Sequence, residues 1–242
     1  MAKKITLLLD AGQLRWALRG ALAAAATDDV TPVLCAVNWV VEGKHVHLVA
    51  TDRYRVHETL VPRPKGAGNG EFLMDRRQAA WILANAHRPA RSFPEQQIRV
   101  SWTEGTPTKA GRIAVEVIAS EADDAPVFRY EADAVRGKFP PVRRLFKDPV
   151  REETEVAAEN VDIIGLDPKF IASMQHLVGY RGEPLVFTMP KPGEKKLSPM
   201  RVSNVGGTAR ALLQPNLLIN GAAEWQGGEL AEPAPVAKAS AA

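Results

Sequence analysis

The sequence predicts an α+β fold assembled from a repeated strand–helix–three-strand (βαβββ) unit, and three observations predict it. A short apolar run, an aspartate and an amphipathic helix follow one another at three places: residues 5–9 with Asp10, 71–74 with Asp75, and 161–166 with Asp167. The spacing agrees between them, since Leu14, Ala79 and Ile171 lie four residues after the aspartate and Leu18, Leu83 and Gln175 eight after it. Each helix is then followed by about three stretches of strand character, bounded by turn residues. Three starts in register point to internal duplication. Gln175 breaks the apolar pattern, with Met174 beside it to fill the place.

In the first unit Asp10 occupies an N-cap position, where its carboxylate accepts hydrogen bonds from the free amides that open a helix over 11–26. Leu14, Leu18, Ala21 and Ala25 form its core face, and Arg15 and Arg19, four apart, share another. Strands are predicted at 33–41, 44–50 and 56–61, with Glu42-Gly43 as a tight hairpin turn. In the second strand Val46 and Leu48 alternate with His45, His47 and Val49. It runs into Ala50-Thr51-Asp52-Arg53-Tyr54-Arg55-Val56, a polar turn carrying guanidinium groups on a rigid sheet. Such a turn is either an ordinary connection or a recognition site. Residues 62–70 read as a loop.

The second unit has Asp75 as cap and a helix to His87 with core face Ala79, Ile82, Leu83 and Ala86; Arg76 and Arg77 begin it. Its strands are predicted at 97–103, 112–120 and 127–132, with Asp123-Asp124 in a loop. In the third, Asp167 caps and Pro168 takes the first helical position, where its missing N–H costs nothing. Ile171, Met174 and Val178 form the expected core face, and strands follow at 185–189, 200–204 and 210–218.

One helix covers a sheet face poorly, so two units should pack with helices side by side as a two-layer domain. Residues 1–134 then form one complete domain and 159–220 half of another. Between them, 135–158 is a linker stiffened by Pro140 and Pro141, and 221–242, rich in Ala, Gly, Glu and Pro, is a disordered tail.

With 45% hydrophobic and 24% charged residues the chain is of ordinary globular type. A net charge of +3 permits nucleic-acid contact without arguing for it. Cys35 is the only cysteine, which excludes an internal disulfide and suits a reducing, cytoplasmic setting. The apolar run after Met1 is too short for a signal peptide, and none approaches a membrane span. Nucleophile elbow, phosphate loop and HExxH motif are all missing, so no enzyme, cofactor or metal role is expected. His45, His47 and His57 read as surface histidines. Arg15, Arg19, Arg76, Arg77 and Lys169 lie off the predicted core faces: either solvated helix surface, or sequence-independent phosphate contacts.

Several motifs, in order, resemble the bacterial DNA polymerase III beta subunit, the sliding clamp. Thr31-Pro32-Val33-Leu34 followed after a hairpin by Leu48-Val49-Ala50-Thr51-Asp52-Arg53-Tyr54-Arg55-Val56 is similar to that family's middle domain. Gly137-Lys138-Phe139-Pro140-Pro141-Val142-Arg143-Arg144-Leu145 resembles its junction between second and third domains. Residues 164–171 look like the start of its last helix-bearing unit, and 211–218 like its closing strand. The resemblance implies a DNA clamp fold, with helices lining a central hole and sheets outside, and a pocket for short peptides. By motif position the pocket is lined by Leu34, Thr51, Arg53, Tyr54, Arg55, Val56, Pro140, Arg144, Leu145, Leu212, Leu213, Gln214 and Pro215. Arg53 stands where the family usually has Gly, Gln214 where it has Met and Leu217 where it has Arg.

The function this implies is a processivity factor: a homo-oligomeric ring around duplex DNA, tetrameric by a count of units, that tethers a DNA polymerase and meets a clamp loader through peptide motifs. The alternative is a clamp-derived protein that closes no ring and sequesters polymerase or loader peptides.

Overall fold

A computed structural model describes residues 2–86, 96–120, 123–146, 165–188 and 199–215. Residues 161–164 of the predicted first strand of the third unit, residue 87, half of the linker, the end of the last strand and the tail lie outside these residues.

The three aspartate caps are present. Asp10 accepts from the Gln13 amide at the head of α1 (Ala11–Leu22), Asp75 from the Arg77 amide at the head of α2 (Arg76–Asn85), and Asp167 from the Lys169 amide at the head of α3 (Pro168–Ser173). At α2 the Gln78 side chain also reaches back to the Asp75 amide, closing a capping box. Two antiparallel sheets accompany the helices. The first unit supplies β1 (Lys4–Asp10), β2 (Ala36–Glu42), β3 (His45–Thr51) and β4 (Arg55–Pro62). The short β5 (Lys65–Ala67) precedes the second unit's β6 (Gly70–Asp75), β7 (Gln97–Thr103), β8 (Arg112–Ser120) and β9 (Asp123–Asp133). The third unit supplies β10 (Leu185–Thr188), β11 (Met200–Asn204) and β12 (Ala209–Leu213).

The sheets do not follow the units. One has the order β5-β1-β7-β8-β9, the other β10-β11-β12-β4-β3-β2-β6. Units one and two therefore exchange their first strands: β1 pairs with β7 across Lys4↔Thr103 to Asp10↔Gln97, and β6 pairs with β2 across Ala36↔Asp75 to Val41↔Gly70. Unit three joins unit one edge to edge, β12 against β4, with Leu212 opposite Val56.

Between the sheets and the helix layer lies the main core, including Leu7, Leu14, Leu18, Trp39, Leu48, Ile82, Val100 and Val115. Trp39, Phe72 and Trp102 stack in series, at 5.4 and 5.7 Å between ring centres. Helix α1 is bonded to β4 by side chains that meet its carbonyls: Thr59 donates to Ala17 and His57 Nδ1 to Gly20, at 2.8 and 2.7 Å. Trp16 Nε1 donates to the Val178 carbonyl at 2.7 Å, tying α1 to unit three. A Cβ on Gly20 would lie 2.8 Å from Thr59 Cγ2 and 3.1 Å from the His176 carbonyl oxygen, so this contact requires glycine.

Several expectations need correction. Helix α1 stops at Leu22 rather than 26. β5 lies inside the predicted loop, because an extended Lys65–Ala67 satisfies the free edge of β1. Asp123 and Asp124 belong to β9. Met174 is buried as expected, but Ile171 is 44% exposed and Val178 half-buried: α3 is only six residues long and passes into the 3₁₀ turn Met174–Leu177, which brings Leu177 into the core beside Met174. His57 is buried against α1 rather than on the surface.

Candidate functional site: an apolar groove beside the Thr51–Arg55 turn

The outer face of the seven-stranded sheet carries a second apolar cluster of Ala36, Val49, Val56, Leu73 and Leu212, covered by Phe139 from the segment after β9. Strand alternation produces it. Val46, Leu48 and Ala50 point to the helices, so His47, Val49 and Thr51 point outward. The segment continues into a 3₁₀ turn, Val142–Phe146.

Where this segment meets the end of β3, a cavity of about 400 Å³ opens, lined by Thr31, Val33, Leu34, Thr51, Arg53, Val56, Lys138, Pro140, Val142 and Leu145. Six of these, Leu34, Thr51, Arg53, Val56, Pro140 and Leu145, were named from motif position. The turn at its rim is internally bonded. Asp52 accepts from the Tyr54 and Arg55 amides, both at 3.1 Å, and pairs with the Arg55 guanidinium at 2.9 Å. Thr51 Oγ1 donates to the Arg55 carbonyl at 2.7 Å and accepts from the Arg53 amide at 3.2 Å. Arg53 has φ +80°, in the left-handed region that favours glycine. Its guanidinium crosses to Thr31 Oγ1 at 2.8 Å, from one wall of the cavity to the other.

The remaining positions lie elsewhere around this rim. Tyr54 and Arg55 turn toward unit three, where the Tyr54 ring stacks on Phe170 at 6.1 Å and the Arg55 guanidinium lies over the same ring at 4.6 Å. Leu212 packs beneath the cavity with Val56 and Phe139, and Leu213 faces the opposite side, in the core of unit three. Gln214 is exposed and donates its amide to the Tyr54 carbonyl at 2.9 Å; Pro215 is buried and Arg144 exposed. Thr31, Val33, Lys138 and Val142 were missed, although they neighbour named residues in both motifs.

Beside the groove is a charge cluster that sequence reading also missed. Glu58, almost fully buried on β4, meets His47 Nδ1 at 2.8 Å, the Arg143 guanidinium at 2.9 Å and the Arg210 guanidinium at 2.6 Å. Burial alone would raise its pKa. The His47 and Arg210 hydrogen bonds and the Arg210 and Arg143 charges outweigh that and hold it at about 2. Arg143 also reaches Glu42 at 3.0 Å, and Arg210 lies over the Phe146 ring at 4.2 Å. Glu58 thus binds β3, β12 and the 3₁₀ turn at one point and fixes the groove's outer wall. The available signal was its outward position two residues from Val56, opposite His47's strand.

The cationic helix residues are differently placed. Arg15 is half-buried and donates to the Leu83 and Ala86 carbonyls at the end of α2. Arg76 contacts Asp29 at 3.3 Å and the Thr27 carbonyl at 3.4 Å, and Arg77, 77% exposed, lies 3.6 Å from Asp29. Arg19 is half-buried and Lys169 exposed. Among the described residues no group of three or more His, Cys, Asp and Glu is placed to hold a metal ion, and no helix is long and apolar enough to cross a membrane.

No family model and no curated protein sequence matches the chain. Solved structures do. A Helicobacter pylori beta clamp bound to a DNA ligase peptide superposes with TM-score 0.61 at 12% identity, covering 90% of this chain and 67% of that one. The same organism's beta clamp with diflunisal gives 0.59 at 11%, covering 90% and 68%. A structure from Eubacterium rectale described as a DNA polymerase III beta subunit gives 0.53 at 9%, covering 87% and 65%. The chain has the fold of a beta clamp. It spans about two thirds of the length of these beta-clamp chains.

Proposed function

We propose that this chain is a sliding clamp: it encircles duplex DNA as a ring of several copies and tethers a replicative polymerase through the groove beside the Thr51–Arg55 turn. The groove is the observation that carries the reading. It is apolar, about 400 Å³, and edged by a few fixed polar groups, the construction that captures short peptides. It lies in a beta-clamp fold, and one structural neighbour is bound to a DNA ligase peptide. Tethering raises the polymerase's effective concentration at the template, and the clamp performs no chemistry itself. A clamp loader is the second partner expected at the same groove. Arg19, Arg77 and Lys169 supply sequence-independent phosphate contacts, which suffice for a ring that holds DNA by topology. Arg15 and Arg76, already bonded within the fold, contribute less.

Those internal bonds favour a second reading, a protein that sequesters polymerase or loader peptides without encircling DNA. Titration with a fluorescent peptide of Gln-Leu-x-Leu-Phe type tests what the readings share: saturable binding competed by unlabelled peptide supports both, and no binding removes both. Retention on circular DNA separates them.

A further inference from the structure

We infer that the groove is built for acidic peptides: Arg53 and Lys138 select a partner that sets a carboxylate beside its apolar anchor. Leu34, Val56, Val142 and Leu145 line the part that takes the anchor. Among the described residues the charged side chains that line the cavity are Arg53 and Lys138, both exposed, and no carboxylate lines it. Carboxylates of the neighbouring elements are committed elsewhere. Asp52 accepts from the Tyr54 and Arg55 amides and pairs with Arg55. Asp29, two residues before Thr31, pairs with Arg76 and Arg77. Glu42 and Glu58 are held by Arg143, and Glu58 by Arg210 as well. Arg53 donates to Thr31 Oγ1 and forms no ion pair among the described residues, and neither does Lys138.

The backbone marks Arg53 independently. It holds φ +80°, a conformation that glycine adopts freely and that strains an L-residue. Thr51 Oγ1, which accepts from the Arg53 amide, and the Asp52 carboxylate keep the turn in that shape. Strain of this kind gathers where a side chain has a task. Here the guanidinium reaches across the cavity to Thr31 Oγ1 at 2.8 Å, in an exposed bond.

That bond is a weak closure. A hydroxyl is a neutral acceptor, whereas a carboxylate can accept two parallel N–H groups of the same guanidinium, and each charge-assisted bond is about twice as strong. A peptide that carries a carboxylate draws the guanidinium off Thr31 and opens the cavity to its anchor. A peptide without one must displace the guanidinium with nothing in return. Lys138, on the segment after β9, adds a second positive charge to the attraction. Arg53 is thus gate and selector together.

This rests on the groove being the peptide site, and it fails separately from that reading. The test is fluorescence anisotropy on the full chain with amide-capped peptides of Gln-Leu-x-Leu-Phe type, extended by one residue at each end. Each carries Asp, or its neutral isostere Asn, at the first, middle or last position. At one position at least, the Asp peptide should bind about tenfold tighter than its Asn twin at low salt. High salt should shrink the advantage. An uncapped Asn peptide that gains as much supports the same recognition with the chain end as its source. Arg53→Gln should remove most of the advantage while binding the Asn peptides at least as well, which also shows that the variant folds. Lys138→Gln should remove a smaller part. Equal binding within every Asp and Asn pair, or an advantage that both variants leave untouched, would overturn the inference and leave the groove as a peptide site. No binding by any peptide would remove both.

Discussion

Replacing Arg53 with glycine probes the groove where the guanidinium reaches Thr31. Two effects oppose each other in stability. The left-handed conformation, φ +80°, costs an L-residue about 1–2 kcal/mol, which glycine relieves. Glycine's greater freedom in the unfolded chain costs about 0.5–1 kcal/mol. The exposed bond to Thr31 at 2.8 Å is worth about 0.5 kcal/mol more. The balance lies within about 1 kcal/mol of zero, a change in Tm of under about 4 °C. Binding should change more. Without the guanidinium spanning from Arg53 to Thr31, the cavity admits a further apolar side chain, whose burial is worth about 1.5–3 kcal/mol. That corresponds to roughly ten- to hundredfold tighter peptide binding. Fluorescence anisotropy with the labelled peptide reads this directly. Leu145→Asp, on the opposite wall, should weaken binding by at least about tenfold. If both variants fold and both bind the peptide as the unaltered chain does, the groove is not the site.

Other consequences follow from the same structure. Glu58→Gln leaves Arg143 and Arg210 without their shared carboxylate and should cost about 3 kcal/mol in chemical denaturation; an unchanged midpoint would show that the cluster does not bind unit three to unit one. Burial holds the pKa of His57 at about 4, against a partly compensating bond to the Gly20 carbonyl. The unfolded chain therefore takes up this proton first, and stability should fall by about 3 kcal/mol as pH drops from 6.5 to 4. His176, lowered mainly by burial, adds in the same direction, and Glu58 adds a further loss below pH 4.5. Denaturation at pH 7.5 and 5 checks the sign, and His57→Asn should flatten the slope. Gly20→Ala drives a methyl against Thr59 and the His176 carbonyl, and should cost about 1–3 kcal/mol by calorimetry.

Local structure was largely legible in the sequence. Asp10, Asp75 and Asp167 signalled helix starts because capping depends on one side chain and the amides just after it. Alternation in β3 placed Val46 and Leu48 inward. What alternation does not encode is which strand pairs with which, so the exchange of β1 and β6 between units was invisible. The fate of Ile171 was hidden for a related reason: periodicity does not show that α3 ends after six residues and passes into a 3₁₀ turn. At the groove, motif order located the Thr51–Arg55 turn and the Pro140–Leu145 wall, but it assigned Tyr54 and Arg55 to a cavity that they turn away from. Their direction is set by Phe170, which sequence separation kept out of view. The Glu58 cluster joins residues as far apart as 58 and 210, and only the outward position of Glu58 on its own strand hinted at it.

The central claim is that copies of this chain close around DNA. The most direct measurement loads the labelled protein onto a nicked circular plasmid with its loader, washes at moderate salt, and then cuts the plasmid once. A closed ring slides off the new ends, so the account predicts stable retention on the circle and rapid release on linearisation. Retention that survives the cut, or no retention on the circle, would contradict it.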